Sequence, residues 1–239
     1  MIRETEKRLL PGAACAVLFV HGILGSPAQF APFLPLVPQD WSFCNLLLQG
    51  HGGGARDFSA ASMAVWREQT RQAFAELRAQ HETVVIAAHS MGTLFAVQEA
   101  VRSPVEGLFL LNVPLHVHVR PRALRNAWLN YGGTPRDPWG QAAVAAYGVE
   151  RDRNVLHYAG WPPRFFELFG EIRRTAARRA LPGIFFGTGR ACLRAERAGV
   201  CGESAGRCHD APALRARLLR GTGGPAAAAV RLPRHAAGM

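Results

Sequence analysis

Beyond Phe186 the 239-residue chain has no tryptophan, tyrosine or phenylalanine, although 9 % of the whole is aromatic. A tail without aromatics has little from which to build a core, because these side chains bury the largest apolar areas. Lysine is nearly missing too: Lys7 stands alone among 28 basic residues, the rest being arginine. That bias, beside abundant alanine, glycine and proline, reflects GC-rich coding. The net charge of +11 is therefore not read as a phosphate-binding surface, which needs grouped basic residues with aromatic platforms. No nucleic-acid partner is expected. No apolar run is long enough to span a bilayer, so stable membrane insertion is not expected either. The opening residues, Met1 to Lys7, carry charge of both signs and lack an apolar signal core, which makes a cytoplasmic location the default. Five cysteines are an odd number for a disulfide framework. Cys15 and Cys44 read as small buried residues. Cys192, Cys201, Cys208 and His209 lack the close pairs of a structural zinc site, so no metal is expected.

What the chain does have is alternation. Apolar runs and amphipathic stretches predict strand 15–21, helix 28–37, strand 43–48, helix 61–80, strand 84–89, helix 91–102 and strand 107–113. Alternating strands and helices imply right-handed crossovers and a mostly parallel sheet covered on both faces. The length fits one large α/β domain with a substantial core.

Two turns in this pattern carry chemistry. Val84 to His89 is an apolar strand that runs into Ser90-Met91-Gly92, giving Ala88-x-Ser90-x-Gly92. This is a near match to the nucleophile elbow G-x-S-x-G, in which small residues two before and two after the serine let strand turn sharply into helix. The bland alternative is a serine N-cap on helix 91–102. The other turn, His21-Gly22-Ile23-Leu24-Gly25-Ser26-Pro27, follows the first core strand. It can aim the Ile23 N–H into the crevice that the Met91 N–H faces, and two such donors make an oxyanion hole. An ordinary βα turn would also use these glycines.

With both turns in this order, and with Leu46 to Gly52 close to a Leu-Pro-Gly-His-Gly loop, residues 13 to about 184 resemble the α/β-hydrolase family. The likeness is to small carboxylesterases and monoacylglycerol-lipase-like enzymes. It implies an α/β-hydrolase fold with core 1–114, a small helical cap at 115–178 and a further core strand at 179–186. It implies Ser90 as nucleophile, Ile23 and Met91 as backbone oxyanion donors, a small acyl-ester substrate and no cofactor. His51 would then fix its loop, and His116 and His118 would lead into the cap without a catalytic role. The cap aromatics, Trp161 and Phe169 among them, would line an acyl pocket or fill the cap's own core.

The likeness fails where the triad should be completed. In this family the order is Ser, then Asp or Glu, then His. After Ile184-Phe185-Phe186 no carboxylate comes until Glu196, and His209 has no strand before it. Residues 222–239 are low-complexity Ala, Gly, Pro and Arg, a composition associated with disorder. The genetic code suggests a cause. The codons for Phe185 to Arg194, read one base later, permit Ser-Ser-Gly-Gln-Asp-Glu-Leu-Val-Ser-Ala, close to the family's acid loop. Those for Ala211 to Arg220 permit Leu-Pro-Pro-Ser-Gly-His-Gly-Tyr-Tyr-Ala, close to its histidine loop. Residues 187–239 therefore read as an out-of-frame or disordered tail, and the end of the sheet is expected to be incomplete. His209, oriented by Asp210 or Glu196, is the alternative base. A non-catalytic binding protein on the same fold is the rival to an impaired enzyme.

Overall fold

The computed structural model describes residues 4–114, 141, 144–150, 152–177, 192–194 and 229–231. Its centre is β2 (Cys15–Val20), flanked by β3 (Ser42–Leu46) and β4 (Thr83–His89), with β5 (Gly107–Leu111) beyond β4. All three of these pairings are parallel. Every residue of β2 is buried, as expected for a central strand covered on both sides. Alternation along the strands separates two cores. Leu18, Val20, Ile86, Ala88, Leu108 and Leu110 face one. Val17, Phe19, Val85 and Ala87 face the other, with Phe30, Trp41 and Phe43. Truncating a residue such as Leu18, which is fully buried, to alanine would cost about 2–5 kcal/mol.

The first core is covered by α1 (Ala55–Ala60), α2 (Met63–Gln80), α3 (Met91–Arg102) and α4 (Trp161–Ala177). Ser62 separates α1 from α2 because its hydroxyl accepts the Val65 N–H at 3.2 Å and so starts a new helix. The predicted helix 61–80 is thus α2, with α1 an additional short helix before it. The predicted helix 28–37 is a correction: the segment forms two 3-10 turns, Pro27–Gln29 and Leu34–Leu36. Pro32 and Pro35 lack the N–H that a continuous helix needs, and their rings collide with the preceding turn. Cys44 is a buried free thiol, which burial pushes up to about 11; Cys15 is buried and disulfide-bonded.

Three short strands complete a seven-stranded sheet among the described residues, in the order β1-β3-β2-β4-β5-β6-β7. Strand β1 (Glu6–Arg8) runs antiparallel to β3, with Arg8 bonded to the Trp41 and Pro38 carbonyls. Strand β6 (Cys192–Arg194) pairs antiparallel with β5, and β7 (Ala229–Arg231) pairs parallel with β6. Of the tail, residues 192–194 and 229–231 are described, and they lie at this edge of the sheet. They form two three-residue strands, both running opposite to the parallel core strands. The strand expected at 179–186 lies outside the described residues, as do residues 115–140 of the cap expected at 115–178.

Helix α4 is docked through a buried carboxylate. Glu171 accepts from Arg67 of α2 at 2.5 Å, from Gln98 of α3 at 2.8 Å and from Arg174 of its own helix at 2.7 Å. A carboxylate only 2 % exposed requires such pairing, because an uncompensated buried charge is strongly destabilising.

Candidate active site

The parallel strands end at one edge of the sheet, and there Ser90 joins β4 to α3. Its backbone has φ 49° and ψ −118°, a left-handed conformation that a residue with a Cβ seldom adopts. Two clamps hold it. The Ser90 N–H donates to the Leu111 carbonyl at 2.8 Å, and the Ser90 carbonyl accepts from the N–H and hydroxyl of Thr93 at 3.0 and 2.6 Å. The serine is thus the hinge of a strand-to-helix turn; the simple N-cap is ruled out, since no cap bond is made by its side chain.

The flanking glycines have separate steric reasons. A Cβ on Gly92 would strike the Val20 carbonyl oxygen and lie 2.8 Å from that of His21. A Cβ on Gly22 would lie 3.0 Å from the Ser90 Cβ and 3.1 Å from His89 Nδ1. The turn after β2 therefore rests directly against the serine. Inside that turn Gly25 N–H donates to the Gly22 carbonyl, and Gly22 N–H donates to Gln29 Oε1, both at 3.0 Å. Leu24 has φ 57°. Ile23 is half-buried, and Met91, the first residue of α3, is fully buried. A first-turn N–H has no intrahelical partner, and neither the Ile23 nor the Met91 N–H is bonded among the described residues.

Three histidines surround this edge, and none bonds Ser90. His21 Nε2 accepts the Leu48 N–H at 3.1 Å, so its proton sits on Nδ1 and is donated to the Gly22 carbonyl at 2.9 Å. Burial, opposed by that bond, lowers it to about 4. His51 packs against His21, Phe58 and Trp66, with ring centroids 4.7, 5.2 and 5.0 Å away. Burial and then His21 hold it well below the usual histidine range. His89 meets the Asn112 side chain at 3.1 Å and is lowered by burial. His209, Asp210 and Glu196 lie outside the described residues.

One pair was not anticipated from the sequence. His157 Nδ1 lies 2.5 Å from Asp152 Oδ2, and Asn154 meets its Nε2 at 3.1 Å. The bond from His157 pulls the Asp152 carboxyl below its usual range. The pair sits at the 3-10 turn Val155–Tyr158, tied to α1 by the Ser59 hydroxyl donating to the His157 carbonyl at 2.5 Å. No hydrogen bond joins it to Ser90. Its sequence signal was an acid five residues before a histidine with an Asn154 cap between them. Among the described residues no group of three or more His, Cys, Asp or Glu could hold a metal, and no helix is long and apolar enough to cross a membrane.

A parallel sheet with a strained serine at a strand tip and unbonded backbone donors beside it is the framework of the α/β hydrolases. The chain belongs to the alpha/beta hydrolase family, whose pattern matches residues 17–236. That match runs past 184, where the motif resemblance stops. A comparison with curated proteins finds no match. Among solved structures, the monoacylglycerol lipase of Paleococcus ferrophilus is 14 % identical, covering 97 % of this chain and 89 % of its own, with a TM-score of 0.51. A structure described with LipS and LipT, two metagenome-derived lipolytic enzymes, is 22 % identical, covering 57 % of this chain and 54 % of its own, with a TM-score of 0.45. A monoglyceride lipase from Saccharomyces cerevisiae is 16 % identical, covering 52 % and 44 %, with a TM-score of 0.39. The chain spans about half the length of the last two. At these identities the likeness is one of fold.

Proposed function

We propose that the chain derives from a serine hydrolase of carboxylic esters, a carboxylesterase or monoacylglycerol-lipase-like enzyme acting through a Ser90 acyl-enzyme. The observation that carries the reading is the left-handed Ser90 held between Gly22 and Gly92. A turn that only capped α3 would not need this strain. In the reaction Ser90 Oγ attacks the ester carbonyl, and the N–H groups of Ile23 and Met91 stabilise the oxyanion. The alcohol leaves, and water releases the acid from the acyl-enzyme. Thioester or amide hydrolysis and acyl transfer use the same elbow, so the fold by itself does not select the ester.

Both proton-transfer steps need a base oriented by an acid. His21 and His89 are held by Leu48 and Asn112 and shifted toward the neutral form, and the Asp152–His157 pair has no bond to Ser90. We attribute the missing acid and base to a frameshift beginning near Pro182–Phe186, which leaves the polypeptide impaired as written. The reversed β6, set against a parallel β5, fits a tail that does not follow the parallel pattern of the core. The second reading, a non-catalytic binding protein on the same fold, is favoured by the same absence, among the described residues, of a base bonded to Ser90. Sequencing the gene around codons 180–190 tests the two. A shifted frame open to a natural stop supports the damaged enzyme; an early stop supports the binding protein. Strong hydrolysis of p-nitrophenyl butyrate by the written chain, lost in His209→Ala, would instead show that the tail supplies the base.

A further inference from the structure

The turn that carries Ile23 is not held by the core alone. Residues 146–150 lie across it and across the His51 loop as a strap. The Gly148 N–H donates to the Leu24 carbonyl at 2.8 Å, and the Gly148 carbonyl accepts from the Gly52 N–H. One residue thereby bonds both loops. Further links lie on either side: the Ser26 hydroxyl donates to the Ala146 carbonyl at 3.2 Å, Gly25 bridges Tyr147, and the Glu150 N–H donates to the Gly53 carbonyl at 2.8 Å. Val149, 3 % exposed, anchors the strap in the main core.

Position 148 has room for nothing but glycine. A Cβ there would overlap the Gly25 carbonyl oxygen and lie 3.2 Å from the Ser26 Cβ. Both obstacles belong to the turn itself, and the nearer is backbone, so a side chain could be admitted only by moving strap and turn apart. Leu24, whose carbonyl receives the Gly148 N–H, is left-handed at φ 57°. The Ile23 N–H belongs to the Gly22–Ile23 peptide, two units before the Leu24 carbonyl; that peptide and the strap's bond are linked through the Gly25 N–H, which closes the turn on the Gly22 carbonyl at 3.0 Å.

We propose that Gly148 is a positioning residue for the oxyanion donor, and that the strap 146–150 sets the shape of the Ile23 turn and the His51 loop together. The proposal rests on the reading of Ser90 and Ile23 as a carbonyl-binding pair. It assigns to a segment far along the chain a part of the site that the motif after β2 does not shape by itself.

Amide hydrogen exchange on the full chain tests this without requiring turnover. In Gly148→Ala the Gly22, Gly25 and Gly52 amides should exchange about tenfold faster or more, because local opening becomes easier, while β2 and β4 keep their protection. Gly170→Ala is the control, since a Cβ on Gly170 meets nothing within 4 Å. Ser26→Ala, which removes the strap bond to Ala146 together with the bond its hydroxyl accepts from the Ala28 N–H at 3.3 Å, should act in the same direction and more weakly. It carries the test if Gly148→Ala does not fold, and the Gly52 amide, outside that turn, must then respond as well. Octanoate, a product-like carboxylate, should protect the turn in the wild type and bind about tenfold more weakly to Gly148→Ala, the equivalent of losing one good hydrogen bond. Unchanged exchange at Gly22 and Gly25 in folded Gly148→Ala, or in Ser26→Ala where Gly148→Ala does not fold, would overturn the proposal. If octanoate fails to protect the wild-type turn while exchange responds as expected, the coupling stands and the carbonyl-binding reading falls.

Discussion

On the proposed reading, Ser90 and the Asp152–His157 pair are complementary halves of one kind of machinery, and no hydrogen bond joins them. Ser90 has the strained turn, the glycine neighbours and donors that are unbonded among the described residues, but no described histidine bonded to its hydroxyl. His157 has a carboxylate at 2.5 Å on Nδ1, the arrangement by which an acid orients a general base, but no nucleophile. Strand tips position the first; a 3-10 turn resting on α1 positions the second. Having all the residue types of a triad in one chain does not make a triad, because the chemistry requires hydrogen-bond reach between them.

The most decisive way to break this contrast is to supply Ser90 with the base that the proposed frameshift displaces. Restoring the shifted frame should raise turnover of p-nitrophenyl butyrate by roughly 10⁶, the factor that removing a triad base costs, and Ser90→Ala in the restored chain should abolish it. His157→Ala in the restored chain should leave turnover as it was. A written chain whose activity falls in His157→Ala would erase the distinction between the two regions.

The steric basis of the Ser90 side can be sharpened next. Gly92→Ala, whose Cβ would meet the backbone carbonyls of Val20 and His21, should destabilise the fold by about 3 kcal/mol or more, at the upper end for overpacking. For a chain of this size that lowers Tm by roughly 6–12 °C, measurable by differential scanning calorimetry. Gly170→Ala, in the interior of α4 with open space around it, should leave Tm unchanged or raise it slightly.

Titration separates the two sides in a different way. His21 is lowered from 6.5 to about 4 by burial, so the unfolded chain binds its proton first. Stability is then whole above about pH 6.5 and is lost as pH falls toward 4, by about 3 kcal/mol in all for a shift of this size. Urea unfolding between pH 7 and pH 4 should show that loss, and His21→Asn should flatten it. The smallest effect belongs to the half-buried Asp152–His157 pair. His157→Ala should give only a minor loss of stability, since a single hydrogen-bonded pair this open to solvent contributes little. A large loss would mark the pair as something more than a surface contact.

The contrast also explains what the sequence could reveal. Apolar runs such as Cys15–Val20 and Val84–Ala88 made the central strands legible, because a strand buried on both faces leaves a continuous signature. The elbow was legible for a related reason: Gly22 and Gly92 stand where backbone or Cβ contact at 3.0 Å or less leaves no alternative. Helix 28–37 was misread because its apolar spacing is helical while Pro32 and Pro35 forbid the hydrogen bonds. Strand β1 was missed because Glu6-Lys7-Arg8 carries no apolar alternation; it pairs at an edge through its backbone. The Asp152–His157 pair and the Gly148 strap depend on how a distant segment folds back, and no local pattern encodes that. The reversed pairing of β6 with β5 could not be inferred from three residues.

The buried Glu171 has a bearing on modularity. Its carboxylate draws donors from α2, α3 and α4 at once, so α4 cannot be exchanged for the corresponding helix of a relative as an interchangeable part. A chimaera that imports a foreign helix at 161–177 without Glu171 strands Arg67 and Gln98, and one that keeps Glu171 but alters Arg67 and Gln98 strands the carboxylate. Either graft should express poorly unless positions 67, 98 and 171 travel together. In recombination of this scaffold those three residues form one heritable block, although they are spread over more than a hundred positions of sequence.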